Sequence, residues 1–281
     1  MQHKEKLFSA TDHLVSGRNF DVVWQQKNAI AQTLYPPGID LSAYYESEAY
    51  DSHKNEQNSV VERLYLFAQK LMFAYKKRII QKHVNGKSLL DYGAGVGNFT
   101  AYLKSFQYKV MALEPNIKAR SLVLEKGVSC VHNIEDLPTD VSFDAITLWH
   151  VLEHLDDPKA VLHKLKKHLT QEGVLVLALP NLNSPDATYY QNEWAALDVP
   201  RHLWHFTSKG LIAFVTSCGY KHLTNYPLFF DAFYVAYLSE RNKGKKFPLV
   251  KGLLIGLLSN LKALFSKEYS SIIFVFRKSN Q

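Results

Sequence analysis

Between Ser88 and Leu179 the hydrophobic positions fall into two alternating kinds of run. Short, nearly unbroken apolar stretches occur at Ser88–Asp91, Lys109–Glu114, Val128–Val131, Phe143–Trp149 and Gly173–Leu179. Such runs, with few polar residues, read as strands buried on both faces. Between them, apolar residues recur three and four apart at Phe99–Phe106, Ile117–Lys126 and Pro158–Leu169, which is the period of an amphipathic helix. Asp156 and Asp157 before Pro158 supply an N-cap and a first-turn proline, and Gly127 stops the preceding helix. Continuous strands separated by amphipathic helices predict an α/β class fold with a parallel sheet covered on both faces.

The flanking regions pattern differently. Val60, Val61, Leu64, Phe67, Ala68, Leu71, Tyr75 and Ile79 form one stripe of a long helix over 60–86, stopped by Asn85-Gly86. Lys76, Lys77, Arg78 and Lys82 lie toward its C-terminal end, where the helix dipole favours cations. Residues 1–59 are polar, with short apolar runs, a Pro36-Pro37-Gly38 turn signal and an aromatic, acidic stretch from Tyr44 to Tyr50. They read as an irregular arm or small subdomain. Downstream, Thr207 and Ser208 cap a helix that stops at Gly219. Two late strands are expected near Leu228–Tyr237 and Ser271–Phe276. The implied division is an arm over 1–59, a packing helix over 60–86, a core domain over 87–238 and 269–281, and an amphipathic hydrophobic insertion over 239–268.

Placed on a helix, Val250, Leu253, Leu254, Leu257, Leu261, Leu264 and Phe265 share one face of that insertion, and Gly252, Gly256, Ser259 and Ala263 the other. Arg241, Lys243, Lys245 and Lys246 precede it. A helix lying on the domain or at a homodimer interface is the favoured reading. Peripheral contact with an anionic membrane through 241–265 is the second.

Composition narrows the class further. The chain has 281 residues, 47% hydrophobic, 21% charged and 13% aromatic, which excludes a disordered or collagen-like chain. Cys130 and Cys218 are the two cysteines, too few for a disulfide framework, and suit a reducing compartment. The start, MQHKEKLFSATDH, lacks an apolar signal core, so a cytoplasmic location is expected. The net charge of +7 suits anionic partners without choosing among them.

The segment Leu89-Leu90-Asp91-Tyr92-Gly93-Ala94-Gly95-Val96-Gly97-Asn98 carries the most chemistry. A strand feeds a glycine loop that opens a helix, the place where open α/β sheets bind ligands. The spacing is Gly-x-Gly-x-Gly, unlike the Gly-x-Gly-x-x-Gly of dinucleotide binders. Asp91, just before the loop, would repel a pyrophosphate but suits a cation or ammonium group. Glu114, ending the next strand, stands where an acid can accept hydrogen bonds from two ribose hydroxyls. S-adenosylmethionine (SAM), with an ammonium, a sulfonium and a free 2′-hydroxyl, satisfies both acids. An NAD-dependent oxidoreductase fits the glycine spacing and Asp91 poorly.

At these residues the chain resembles class I SAM-dependent methyltransferases of the type 11/23 group. Asp91 to Gly97 is similar to that family's first motif, and Glu114 to its ribose-binding acid. His132-Asn133-Ile134-Glu135-Asp136-Leu137-Pro138 resembles the segment that holds the adenine, with Asn133 where relatives usually carry Asp. Phe143 to Leu155 is similar to the motif at the fourth strand, and Gly173–Asn181 to the fifth strand and its exit. The likeness covers roughly residues 60–238 and 269–279. It implies a Rossmann-like, doubly wound, mostly parallel seven-stranded sheet with an antiparallel edge and helices on both faces. It also implies SAM as cofactor, with contacts from Asp91, Tyr92, Gly93, Ala94, Gly95, Gly97, Glu114, Pro115, Asn133, Ile134, Glu135, Trp149 and His150. Some relatives carry a zinc-binding cysteine pair in the N-terminal arm. No cysteine precedes Cys130 here, so no structural zinc is expected.

His150 and His154 follow the fourth strand, and Arg201, His202 and His205 follow the fifth, so both groups should lie at the cofactor edge. Methyl transfer to a hydroxyl gains from a base near neutral pKa. His150, His154, His202 and His205 are therefore the candidate catalytic residues, and Arg201, His202 and His205 candidate acceptor contacts. The rings could equally shape the pocket through backbone hydrogen bonds. A metal for a chelating acceptor, with Asp186, Glu193 or Asp198 as oxygen ligands, is the least favoured reading, and no metal is expected. The function read is O-methylation of a small-molecule, sugar or lipid-linked acceptor. A non-catalytic SAM-binding protein and an RNA methyltransferase are the alternatives, and nucleic acid is the less favoured partner because no Asn-Pro-Pro-Tyr-like motif follows the fourth strand.

Overall fold

The computed structural model describes residues 5–36, 38–44 and 60–279. The stretch beyond Tyr44 up to Tyr50 lies outside the described residues. In chain order the strands are β1 (Lys6–Thr11), β2 (Asn19–Gln26), β3 (Ile30–Leu34), β4 (Ser88–Tyr92), β5 (Lys109–Leu113), β6 (Ser129–Val131), β7 (Phe143–Trp149), β8 (Leu169–Pro180), β9 (Trp204–Phe206), β10 (Tyr220–Pro227) and β11 (Ser271–Lys278). The α-helices are α1 (Val60–His83), α2 (Asn98–Ser105), α3 (Ile117–Glu125), α4 (Pro158–Lys167), α5 (Pro185–Tyr190), α6 (Ser208–Ser217), α7 (Phe229–Asn242) and α8 (Pro248–Ser266).

Seven strands form one sheet in the order β10-β11-β8-β7-β4-β5-β6. Strands β6, β5, β4, β7 and β8 run parallel, and β11 is antiparallel to both of its neighbours. Alternate residues feed opposite cores. Leu90, Ile146, Leu175 and Leu177 pack under α4 and α6, while Leu89, Ala145, Val174 and Val176 pack with Ile79, Ile80, Phe99 and Leu103 of α1 and α2. Burial on both faces is why these strands lack polar alternation. The order reverses between β4 and β7, which places the β4 loop at the switch point.

Residues 6–34 hold three strands, in the region the sequence marked as an irregular arm or small subdomain. β1, β2, β3 and β9 make a second, antiparallel sheet in that order. Its fourth strand comes from the loop after β8, about 170 residues along the chain. Phe20, Val22 and Ala31 bury one face against Tyr190, Trp194 and Leu197.

The C-terminal third also departs from expectation. The strand is Tyr220–Pro227, and most of Leu228–Tyr237 is the first part of α7. Aromatic residues there favour a strand locally. Ala232, Ala236 and Ser239, buried at helical spacing against α8, decide for helix. The insertion between β10 and β11 is therefore a helical hairpin, 229–266, rather than a single segment over 239–268.

Candidate active site

The loop after β4 turns through Gly93, Gly95 and Gly97, all at positive φ, and opens α2. A Cβ on Gly93 would come within 2.5 Å of Val151, and one on Gly97 within 2.9 Å of Val123, so these two glycines are fixed by the protein itself. Gly95 differs: at φ +55° its Cβ position meets nothing within 4 Å. It faces open space, as a cradle for a ligand requires. Tyr92 is buried and Ala94 half-buried in the same turn.

Two acids flank the loop. Asp91 is buried and accepts a hydrogen bond from Thr147 Oγ1 at 2.6 Å. Burial raises its pKa to about 6, against the opposing pull of Thr147 and of the Lys76 ammonium. Glu114 accepts the backbone N–H groups of Gly95 at 2.8 Å and Asn116 at 2.9 Å. Burial raises its pKa too, opposed by those two amides. Each of its oxygens retains an acceptor site. Pro115 beside it is exposed.

Farther along the edge, Asn133 and Asp136 cap a short turn reciprocally, each side chain accepting the other's backbone N–H, and Ile134 is buried. The exposed Glu135 carboxylate pairs with Lys164. Trp149 meets Phe99 edge-to-face at 5.6 Å, and its buried Nε1–H has no hydrogen-bond partner among the described residues.

The sequence reading missed Lys76. Its Nζ sits 4.1 Å from the centre of the Trp149 ring, and it feels the charges of Asp91 and Asp231. Burial lowers its pKa to about 8, resisted by those acids. Its position on a stripe of basic residues near the end of α1 reads as ordinary helix-dipole pairing, which hid its approach to Trp149.

His150 follows β7 in the left-handed region, φ +55°, with its N–H donating to Ala178 O at 2.9 Å. A non-glycine residue held there is strained, and such strain clusters at functional sites. The conformation sets the ring between two carboxylates, Nδ1 at 3.4 Å from Glu153 and Nε2 at 3.2 Å from Asp231. Burial would lower its pKa, but Asp231 and Glu153 outweigh that and raise it to about 9. Glu153 is 1% exposed, and neither of its oxygens completes a hydrogen bond among the described residues. Burial works against its charge, yet His150 and the neighbouring histidines hold its pKa below the usual value. Glu153 and Asp231 were not among the residues picked from sequence. The Glu153-His154 pair stood in the quoted motif, whereas Asp231 lay in a segment read as strand.

The other histidines converge on the same side. His154 Nδ1 lies 3.0 Å from Arg201 O, and His202 Nδ1 2.9 Å from Ala196 O. Thr33 Oγ1 donates to the His202 backbone O at 2.7 Å and contacts His205 Nε2 at 2.8 Å, so β3 buttresses the His202 backbone and the His205 ring. Burial drives His154 down to about 4 and His205 to about 3, with His202 contributing to each. Both are neutral at pH 7. Arg201 is buried and held by Asp198 Oδ1 at 2.5 Å and Asp12 Oδ1 at 3.4 Å. Its guanidinium is engaged in tying the β9 loop to the N-terminal sheet.

A small cleft opens between these groups, lined by Glu153, Leu182, Trp194, His202, Trp204 and His205. Glu153 with one nitrogen each of His154 and His202 lie within 4.8 Å of one another, a set that could hold a metal ion. The acids named from sequence as oxygen ligands are engaged elsewhere. Asp186 accepts from Trp194, Ser259 and Ser270, Glu193 lies 3.8 Å from His13, and Asp198 pairs with Arg201.

A family model described as a methyltransferase domain matches residues 65–225, over half of the chain. The chain belongs to the class I SAM-dependent methyltransferase family. A ubiquinone biosynthesis O-methyltransferase of Xanthomonas axonopodis pv. citri is 33% identical to this chain over 105 residues, 34% of this chain and 44% of that protein. An uncharacterized methyltransferase of Bacillus pumilus is 30% identical over 105 residues, 34% of this chain and 48% of that one. The chain spans about half the length of the curated relatives it matches. Among solved structures, magnesium protoporphyrin IX methyltransferase from Synechocystis PCC 6803, with bound SAH, superposes at TM-score 0.54 and 12% identity. That match covers 84% of this chain and 97% of the other. The 1,6-didemethyltoxoflavin-N1-methyltransferase of Burkholderia thailandensis covers more, 92% and 99%, at TM-score 0.52 and 14% identity. At these identities the two structures establish the shared fold.

Proposed function

We propose that this methyltransferase moves a methyl group from SAM to a hydroxyl oxygen of a small-molecule, sugar or lipid-linked acceptor. The open space at Gly95, the two strand-end acids and the unpartnered Trp149 Nε1–H fit the cofactor's donor and acceptor groups. Asp91 would hold the amino group, Glu114 the ribose hydroxyls, and Lys76 with Trp149 Nε1 the carboxylate. The Asn133–Glu135 turn would lie against the adenine. When bound, the cofactor supplies an electrophilic methyl group beside a good leaving group.

What remains for the protein is to seat the acceptor and take its proton. His150 is the group we assign to that proton. With a pKa raised to about 9 by Asp231 and Glu153, its neutral form is a strong base matched to a phenol-like hydroxyl, and the two carboxylates stabilise the imidazolium that forms. His202 and His205, tied to Ala196 and Thr33, shape the acceptor cleft. The observation that carries this reading is the buried, unsatisfied Glu153 carboxylate aimed at a strained His150.

Transfer of radiolabelled methyl to a panel of phenolic, sugar and quinol-like acceptors tests it. The rate should rise with pH toward about 9 and collapse in His150→Gln while SAM still binds. Undiminished turnover by His150→Gln would remove His150 from the mechanism.

The Glu153, His154 and His202 cluster supports a second reading, in which a divalent metal binds a chelating acceptor such as a catechol. One carboxylate and two imidazoles suit zinc, and the backbone carbonyls on both Nδ1 atoms orient the rings as metal-ligating histidines require. Zinc calorimetry on the parent and on Glu153→Gln separates the two readings.

A further inference from the structure

Helix α8 turns its small residues inward and its large apolar residues outward. A Cβ on Gly252 would come within 2.6 Å of the Tyr237 backbone, and one on Gly256 within 2.7 Å of Phe233, so α7 and α8 meet backbone to backbone. Ser259 Oγ donates to the buried Asp186 at 2.7 Å, and Ala263 is fully buried. On the opposite side Leu253, Leu254, Leu257, Leu258, Leu261 and Leu264 are 47–56% exposed, and Phe247 and Phe265 stand out at the two ends. The leucine face therefore does not lie on the domain. Phe229 and Phe230 of α7 extend the exposed apolar surface, since Asn260 Nδ2 donates to Phe229 O at 2.9 Å. A contiguous exposed patch of this kind marks an interaction surface.

Charge identifies the partner. Between Arg241 and Lys267 there are seven basic residues and no acidic one; the flanking acids are engaged inward, Glu240 with Lys251 and Tyr190, and Glu268 with Asn181 and Ser208. Lys243, Lys245 and Lys246 are exposed in the α7–α8 loop, while Lys262 and Lys267 lie toward the other end of the helix. A second copy packed on this face, parallel or antiparallel, would set basic end against basic end with no acid to answer it. An anionic lipid surface answers both features at once: apolar side chains enter the acyl boundary and lysines reach the headgroups. By length and composition alone α8 could also cross a bilayer. As folded, its inner side is bound to α7 and to Asp186, which suits a helix lying in the interface plane.

We propose that α8 and the basic α7–α8 loop seat this methyltransferase on an anionic phospholipid surface. Asp231, in the first turn of α7 beside the exposed Phe229 and Phe230, also pairs with His150. The lipid-facing surface thus begins at the reaction centre, and an acceptor with an apolar tail reaches it from the membrane side. That last link rests on the methyl-transfer reading; the surface itself does not.

Flotation of the full chain with equimolar phosphatidylcholine–phosphatidylglycerol vesicles, and with phosphatidylcholine alone, tests the proposal. The parent should float with the anionic vesicles, more weakly at high salt. Each lysine near such a surface is worth about fivefold, so the Lys245→Glu, Lys246→Glu double variant should bind at least about twenty-fold more weakly. Leu257→Glu with Leu261→Glu, both at exposed positions, should abolish flotation while leaving the melting temperature and SAM affinity unchanged. A parent that does not float, or equal flotation of all three proteins, overturns the proposal. So does light scattering that shows a parent dimer made monomeric by the leucine pair without vesicles. SAM calorimetry on the same samples keeps the two readings apart: flotation without SAM binding would sink the functional reading and leave the surface standing.

Discussion

Gly95→Ala separates a loop built for a ligand from a loop built for the fold. The new methyl group meets no protein atom within 4 Å, so the folding cost is confined to holding alanine at φ +55°. That conformation costs an L residue roughly 1–2 kcal/mol, part of which is offset by the stiffer unfolded chain. The net effect of about 1 kcal/mol should lower the melting temperature by roughly 2–4 °C. The same methyl group projects into the space assigned to the cofactor. Intrusion of one methyl into a filled contact costs about 2 kcal/mol, or roughly thirty-fold in SAM affinity. Calorimetric titration of SAM, with melting curves on the same samples, reads both effects. Gly17→Ala is the control: it too has a positive φ, +64°, and open space, so it should carry a comparable stability cost with no change in SAM affinity. If Gly95→Ala bound SAM like the parent, the loop would not be the cofactor cradle. Gly93→Ala and Gly97→Ala cannot serve, because Val151 and Val123 already fill their Cβ positions.

The Asp91 carboxyl, raised to about 6, must be ionised to hold an ammonium group. SAM affinity should therefore fall as pH drops below about 6, up to tenfold per unit, and Asp91→Asn should bind weakly at every pH. His154 and His205 are lowered to about 4 and about 3 in the fold, so the unfolded chain binds more protons than the native one below pH 6.5. Their contribution to stability is complete above that value and is lost as pH falls toward their folded values; urea midpoints across this range should show the decline, flattened in His205→Asn. His150 has the opposite sign. Its pKa is raised to about 9, so its contribution is present below 6.5 and is lost as pH rises through 9, and Asp231→Asn should reduce that alkaline loss, with Glu153 sustaining the rest. Arg201→Met leaves Asp12 and Asp198 without their buried counter-charge and should cost about 3–5 kcal/mol, read as a shifted denaturant midpoint with loss of the β9 loop's order.

The seven-stranded half of the fold was legible because its determinants are local. Each buried parallel strand is a continuous apolar run, and the glycine loop, Asp91 and Glu114 lie in order within one strand–helix–strand unit. The N-terminal sheet was not legible. Strand β3 is completed by Trp204–Phe206 from the far side of the chain, and pairing at that separation leaves no mark in either segment. Helix α7 was obscured for a similar reason: its aromatic residues favour a strand locally, and the small residues that select helix matter only against α8. The two faces of α8 were readable, but not their orientation, because Gly252 and Gly256 face inward for close approach to α7 rather than for hydrophobicity. At the site, the histidines could be listed but not ranked. The left-handed backbone at His150 and the approach of Asp231 across more than 80 residues distinguish it from His202 and His205, and both are tertiary facts. Lys76 was hidden among neighbouring lysines until its ammonium was found over Trp149.

The edge formed by the β4 loop and Glu114 is the site we assign to SAM. Equilibrium titration of SAM into the parent, Asp91→Asn and Glu114→Gln proteins at pH 7.5, each verified as folded by its melting curve, tests it most directly. One saturable site is expected in the parent, with at least about tenfold weaker binding in each variant. Unchanged affinity in both variants would contradict that assignment.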